Sequence, residues 1–215
     1  MQLISINIGR TQAIHGAKAS GITGIYKLPV DTAQITAEGL HDDAICDRAN
    51  HGDVDQAVYV YGTPDYAWWS AELGRALAPG TFGENLTITD LESAQLHIGD
   101  RLRIGDVVLE VTAPRIPCVT LARRMGDPAF VKRFRYAERP GLYCRVIQAG
   151  VVQVGQSVVL APYTGATITA IEMFQAFYTG HLDAATLRRH LAAPIAIRDR
   201  VDKQKQLENL LAHNV

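Results

Sequence analysis

The stretch "APRIPCVTLARR", residues 113–124, crowds a single thiol with basic and stiff residues. Arg115 lies three residues before Cys118, and Arg123 and Arg124 follow it. The thiolate is the reactive and metal-ligating form of cysteine, and nearby cations favour it. Pro114 and Pro117 restrict the backbone on either side of Arg115. A strand-like run, "VVLEVTAP", precedes the corner and a helix-like run, "VTLARRMG", follows it. A helix starting after Cys118 would turn its positive end toward the sulfur. The competing reading is a buried structural cysteine at an ordinary strand-to-helix turn.

Two further segments carry polar chemistry. "CDRANHGDVDQAV" brings Asp47, Arg48, His51 and Asp53 to the start of a buried strand, where they suit anion or ring recognition. Taken alone, it also reads as a solvated loop with an Asx turn. "PGTFGENLTI" sets two glycines around Thr81 and Phe82, then Glu84 and Asn85 at a strand entrance. Gly83 lets backbone approach a ligand, and successive N–H groups can form an anion nest. A plain hairpin turn is the alternative. The chain has no GxGxxG, no GxxxxGK[ST], no HExxH and no paired CxxC.

The elements that must position these residues are mostly short strands. "QLISINIG", "GIYKLPV", "QAVYVYG", "ENLTIT", "DRLRIGDVVLEVT" and "GLYCRVIQAGVVQVGQSVVL" read as strands or hairpins. Gly105-Asp106 and Ala149-Gly150 fall at the expected turns. Pro29 marks an edge strand or a bend. Strands this frequent predict a barrel or closed sandwich. "TPDYAWWSAELG" predicts a helix capped by Thr63, with Pro64 first inside and Gly74 as the stop. Trp68 and Trp69 are expected in packing rather than at a ligand. "DPAFVKRF" predicts another helix capped by Asp127.

From about residue 165 the chain reads as three helices, separated by Gly180 and Pro194. The expected architecture is mainly β: a barrel over residues 1–163 with peripheral helices, then a three-helix domain over residues 164–215.

Composition sets the class. Of 215 residues, 47% are hydrophobic, enough to bury a core, and 20% are charged. A net charge of -1 gives no electrostatic reason for nucleic acid or an anionic membrane. No apolar run reaches the roughly 18 residues of a membrane helix. The N-terminus shows no secretory pattern. Three cysteines are odd and sparse for a disulfide framework, so a cytoplasmic setting is expected.

Weak alone, the motifs are specific in their order. "DRANHGDVDQAVYVY", "GTFGENLTI", "IGDRLRIGDVVLEVTAPRIPC" and "RPGLYCRVIQAGVVQVGQSVVL" together resemble the MOSC domain, named for the C-terminal domain of molybdenum cofactor sulfurases. The stand-alone YiiM-like branch is the most similar, and its small "3-alpha" ending matches the helical tail. The resemblance covers nearly the whole chain. It implies a β-barrel and a molybdenum cofactor, a pterin dithiolene with an anionic phosphate tail. It makes Cys118 the molybdenum ligand. By matching motif positions, Arg115, Arg48, His51, Thr81, Gly83, Glu84, Asn85 and Arg145 become candidates for the cofactor pocket, with Lys27 a looser one. One departure stands out: Asp53 occupies a position that is often a second glycine, and Asp is less at ease than Gly in the left-handed region.

The activity implied is reduction of N-hydroxylated compounds such as hydroxylaminopurines and amidoximes. Glu84 and His51 are the candidate proton donors. Three cysteines cannot supply the four thiolates of a usual iron–sulfur cluster, and no flavin or haem motif is present. A separate flavin- or iron–sulfur-containing electron donor is therefore implied. The tail could dock that donor, form a homodimer, or simply cap the barrel. Two other functions keep Cys118: sulfur transfer through a persulfide, and non-catalytic carriage of the finished cofactor.

Overall fold

The computed structural model describes residues 1–16, 20–46 and 52–212. Its strands are β1 (Leu3–Gly9), β2 (Gln12–Ala13), β3 (Ile22–Thr23), β4 (Lys27–Val30), β5 (Thr32–Thr36), β6 (Gly39–Leu40), β7 (Val58–Gly62), β8 (Leu86–Ile88), β9 (Arg101–Ile104), β10 (Val107–Pro114), β11 (Leu142–Gln148), β12 (Gly150–Gln153) and β13 (Val158–Ala161). Its helices are α1 (Thr63–Leu73), α2 (Val119–Met125), α3 (Phe130–Ala137), α4 (Ala170–Thr179), α5 (Ala184–Ala192) and α6 (Ile197–Ala212).

Eight strands form the main sheet in the order β13-β9-β10-β11-β7-β8-β1-β4. Its centre follows directly from the sequence: every residue of β10 and of β7 is buried. Such continuous apolar runs cannot serve an edge. Pro29 sits in β4, which is an edge strand and needs no ladder donor there. Gly105, at φ +56, makes the two-residue turn from β9 to β10. Two register shifts along the β10–β11 pair bend the sheet. The sheet curls so that the start of β1 reaches the start of β13. Leu3 N–H donates to the Gln156 carbonyl at 2.9 Å, and Val158 N–H donates to the Met1 carbonyl at 3.0 Å. The result is a mainly β, barrel-like body with peripheral helices.

Three local expectations change. Ala149-Gly150 is not a hairpin: β11 pairs with β10 and β7, whereas β12 crosses to a second sheet, β12-β5-β6. The cap of α1 is Gly62, one residue early, and the Thr63 hydroxyl instead accepts from Asp90 N–H at 3.2 Å. Asp127 does not cap α3; its carboxylate accepts from Ala129 N–H at 2.8 Å, closing the turn that leads into the helix.

Two apolar cores share the molecule. One fills the curled sheet and continues into the tail through Ile168, Met173 and Ile195. The other is aromatic and packs Trp69 of α1 and Phe130 and Phe134 of α3 around Phe82, with Phe174 of α4 against Phe134. Trp69 is fully buried, as its packing role requires, and its indole N–H donates to the Tyr61 hydroxyl at 2.9 Å. The tail is also fixed by polar contacts. The Asp55 carboxylate accepts from Ile197 N–H at 2.6 Å, capping α6.

Candidate cofactor site

Cys118 follows the last residues of β10 and stands as the N-cap of α2, half-buried. Its carbonyl accepts from Leu121 N–H at 3.0 Å, so the helix fixes the corner rather than the side chain doing so. Arg115 turns inward at the same corner and is 5% exposed. Its guanidinium donates to the Phe82 carbonyl and lies over the Tyr59 ring, 4.9 Å from the centroid. It also interacts electrostatically with Cys118. Its Nε is buried and has no hydrogen-bond partner among the described residues.

A cavity opens between this corner and the N-terminal strands. Arg115, Cys118, Lys27, Asn85 and the backbone of Gly83 and Gly24 line it. Lys27 enters from the first position of β4, and its ammonium pairs with Asp43 at 2.5 Å. Burial pushes the Lys27 pKa down, against the opposing pull of Asp43. Asn85 bridges three elements. Its Oδ1 accepts from Tyr59 N–H at 3.1 Å, and its Nδ2 donates to Asp43 at 2.8 Å and to the Asn7 carbonyl at 3.4 Å. Gly83 has φ +77, and a Cβ there would meet Ile25 at 2.7 Å. At Gly24 a Cβ would meet the Ala44 carbonyl oxygen at 1.9 Å. Both glycines are required by close packing of the wall.

The remaining candidates divide. Glu84 does not line the cavity. It is fully buried, and its Oε1 accepts from the Tyr66 hydroxyl at 2.5 Å, Gly80 N–H at 2.6 Å and the Thr87 hydroxyl at 2.8 Å. Burial raises its pKa, and its work is to knot the 79–87 loop. Thr81 lies off the cavity, its hydroxyl donating to the Ala78 carbonyl at 2.5 Å. Arg145 also points elsewhere. It pairs with Asp55 at 3.0 Å and donates to the carbonyls of Pro194 and Ile195, fastening the tail to the sheet. Arg48 and His51 lie outside the described residues. Asp53, beside them, takes φ −71 and ψ 172, an extended conformation that any residue adopts. The glycine-to-aspartate departure therefore strains nothing.

Sequence reasoning missed several wall residues. Asp43 lies in a loop with no local signal for pairing with Lys27. Cys46 also lines the cavity. Gln56 and Thr120 were unremarked, yet the Oε1 of one and the Oγ1 of the other are buried without a hydrogen-bond partner among the described residues. Both, with Cys118 and Tyr143, also line a second and larger cavity. Cys118 thus sits on the partition between two cavities. Buried polar atoms without partners are rare in folded proteins; among the described residues, Gln56 and Thr120 supply two where the cavities adjoin and Arg115 a third in the first cavity.

An anionic, ring-bearing group fits the first cavity. The cations of Arg115 and Lys27, and an Arg115 Nε with no partner among the described residues, suit phosphate or pterin atoms, and Cys118 offers a soft ligand.

Known proteins similar to this chain place it in a family. The MOSC domain matches residues 47–159 of this chain. A protein of Bacillus subtilis (strain 168), YflK, described as uncharacterized, is 35% identical over 159 residues, covering 74% of this chain and 72% of its own. A protein of Gibberella moniliformis described as a reductase is 33% identical over 166 residues; the match covers 74% of this chain but 29% of that longer protein. The crystal structure of YiiM from Geobacillus stearothermophilus superposes with a TM-score of 0.79 at 26% identity, covering 96% of this chain and 98% of that one. The chain belongs to the MOSC-domain family, in its YiiM-like branch.

Proposed function

We propose that the protein is a molybdenum-cofactor-dependent reductase of N-hydroxylated compounds, with Cys118 as the metal ligand. The observation that carries this reading is the position of Cys118 where two cavities adjoin, near Arg115 Nε, Gln56 Oε1 and Thr120 Oγ1, which are buried without hydrogen-bond partners among the described residues. A soft thiolate there would hold the metal, while Arg115, Lys27 and Asn85 would hold the anionic pterin side. The cofactor, when bound, supplies the two-electron reduction that breaks an N–O bond. The protein's share is to anchor, orient and exclude water. The tight aromatic packing of Phe82 on Tyr61, with ring centroids 4.6 Å apart, keeps the Gly83 backbone at the cavity wall. The overall change takes an N-hydroxy group to an amine and water, consuming two electrons and two protons. The electrons come from a separate flavin- or iron–sulfur-containing protein. No helix among the described residues is long and apolar enough to cross a membrane, and we assign the reaction to the cytoplasm.

The test is elemental analysis on protein made in a cofactor-competent host. Near-stoichiometric molybdenum in the wild type, lost in Cys118→Ala, is expected, together with turnover of benzamidoxime under a chemical reductant. Sulfane sulfur on Cys118 with no molybdenum would replace this reading by sulfur transfer. Bound cofactor without turnover would make the protein a carrier.

A further inference from the structure

Two thiols share the first cavity. Cys46 and Cys118 both line this compact space of about 110 Å³, both are half-buried, and neither is in a disulfide. The third cysteine, Cys144, is fully buried in β11, and burial pushes its thiol pKa far up. Only the first two can meet a reagent that enters the cavity.

The Cys46 end of the wall is lightly held. Two residues earlier the chain is pinned to β1: Ala44 N–H donates to the Gly9 carbonyl at 2.9 Å, and the Asp43 carboxylate accepts from Gly9 N–H at 2.7 Å. Cys46 itself reaches, among the described residues, only the exposed Thr11 hydroxyl, at 3.8 Å. Opposite it, the Cys118 carbonyl rather than its sulfur anchors α2. The Cys118 sulfur therefore changes its bonding without unseating the helix. A disulfide needs Cα atoms about 4.4–6.8 Å apart, a closure that falls on the segment Ile45–Cys46 rather than on the sheet.

We propose that Cys46 is the resolving thiol of Cys118: when peroxide oxidises Cys118 in the cofactor-free protein, Cys46 closes a reversible disulfide across the cavity. The proposal rests on the molybdenum reading only for what is protected; the disulfide itself needs no metal. The Cys118 sulfur attacks the peroxide O–O bond and takes one oxygen, becoming a sulfenic acid. The leaving hydroxide takes up the proton that Cys118 gave up and departs as water. The Cys46 sulfur then attacks the sulfenic sulfur, and its proton leaves with the hydroxyl as a second water. One peroxide is thus reduced to two waters while two thiols become one disulfide. Without a resolving thiol the sulfenic acid goes on to sulfinic acid, which a thiol reductant does not reverse. A soft metal ligand would then be lost for good.

The test is treatment of the cofactor-free protein with hydrogen peroxide, read by intact mass and non-reducing peptide mapping. The wild type is expected to lose about 2 Da, to yield a joined peptide pair containing Cys46 and Cys118, and to be restored by dithiothreitol. Cys46→Ser is expected to gain about 32 Da on Cys118, with on the order of tenfold more sulfinic acid than the wild type, and dithiothreitol should not reverse it. Cys144 should stay unmodified in both. No joined Cys46–Cys118 peptide in the wild type overturns the proposal. Equal sulfinic acid in wild type and Cys46→Ser overturns the protective role. If Cys46→Ser fails to fold, Cys46→Ala is read the same way, and the joined peptide in the wild type decides without any variant. Molybdenum content of untreated protein reports on the cofactor reading alone.

Discussion

Arg115 lies over the Tyr59 ring at 4.9 Å while its guanidinium holds the Phe82 carbonyl. One side chain therefore ties the Cys118 corner to both β7 and the glycine loop, and its Nε has no partner among the described residues. Lysine keeps the charge but has no planar fork. Arg115→Lys should fold and lose about tenfold in cofactor affinity, roughly 1.4 kcal/mol. Molybdenum per chain at limiting cofactor checks this; unchanged loading would remove Arg115 from the pocket.

Glu84 organises the same loop from beneath. Truncation leaves the donors of Tyr66, Gly80 and Thr87 without their acceptor in the interior. At about 1–3 kcal/mol for each buried unsatisfied group, Glu84→Ala should cost at least ~3 kcal/mol by urea denaturation.

Glu84 also sets a pH dependence. Its folded pKa is raised by burial, so the folded state holds this proton more tightly than the unfolded chain does. The stability it lends is complete below the ordinary Glu range and is lost as pH rises through the raised folded value. Glu84→Gln has no such proton. The wild-type-minus-variant difference in unfolding free energy should decline across that window and be flat below it. A difference flat throughout would mean that the carboxyl is not perturbed.

Gly24 is a steric requirement of the cavity wall. Gly24→Ala brings a Cβ to 1.9 Å from the Ala44 carbonyl oxygen, and backbone cannot yield as a side-chain tip can. Overpacking of this kind costs about 1–3 kcal/mol. The melting temperature should fall by roughly 2–10 °C. Molybdenum loading should fall with it, since Gly24 lines the site.

Arg145 is expected to matter for the tail rather than for the cofactor. Its removal leaves Asp55, itself buried, without its cation and frees the carbonyls of Pro194 and Ile195. Breaking a buried pair costs about 3–5 kcal/mol. Arg145→Met should expose α5 and α6 to limited proteolysis before the sheet is cut. Cleavage elsewhere first would argue that Arg145 is not what holds the tail.

The sequence by itself determined the local events. Alternating and continuous apolar runs determined which segments are strands, because burial on one face or two writes itself into side-chain period. Gly105 and Pro29 determined a tight turn and an edge. Gly180 and Pro194 separated the tail helices, and the run around Cys118 marked a strand-to-helix corner. Only the tertiary structure decided what lies across space. Ala149-Gly150 looks like a hairpin turn, yet β12 finds its partner in β5, more than a hundred residues earlier in the chain. Lys27 meets Asp43, Arg145 meets Asp55 rather than the cavity, and Glu84 turns under its loop instead of lining the cavity. Asp199 reaches the Cys118 side of the sheet because Asp55 caps α6 there. Strand period and turn chemistry act between near neighbours along the chain. Cavities and ion pairs form between segments that only the folded sheet brings together, so no local pattern records them.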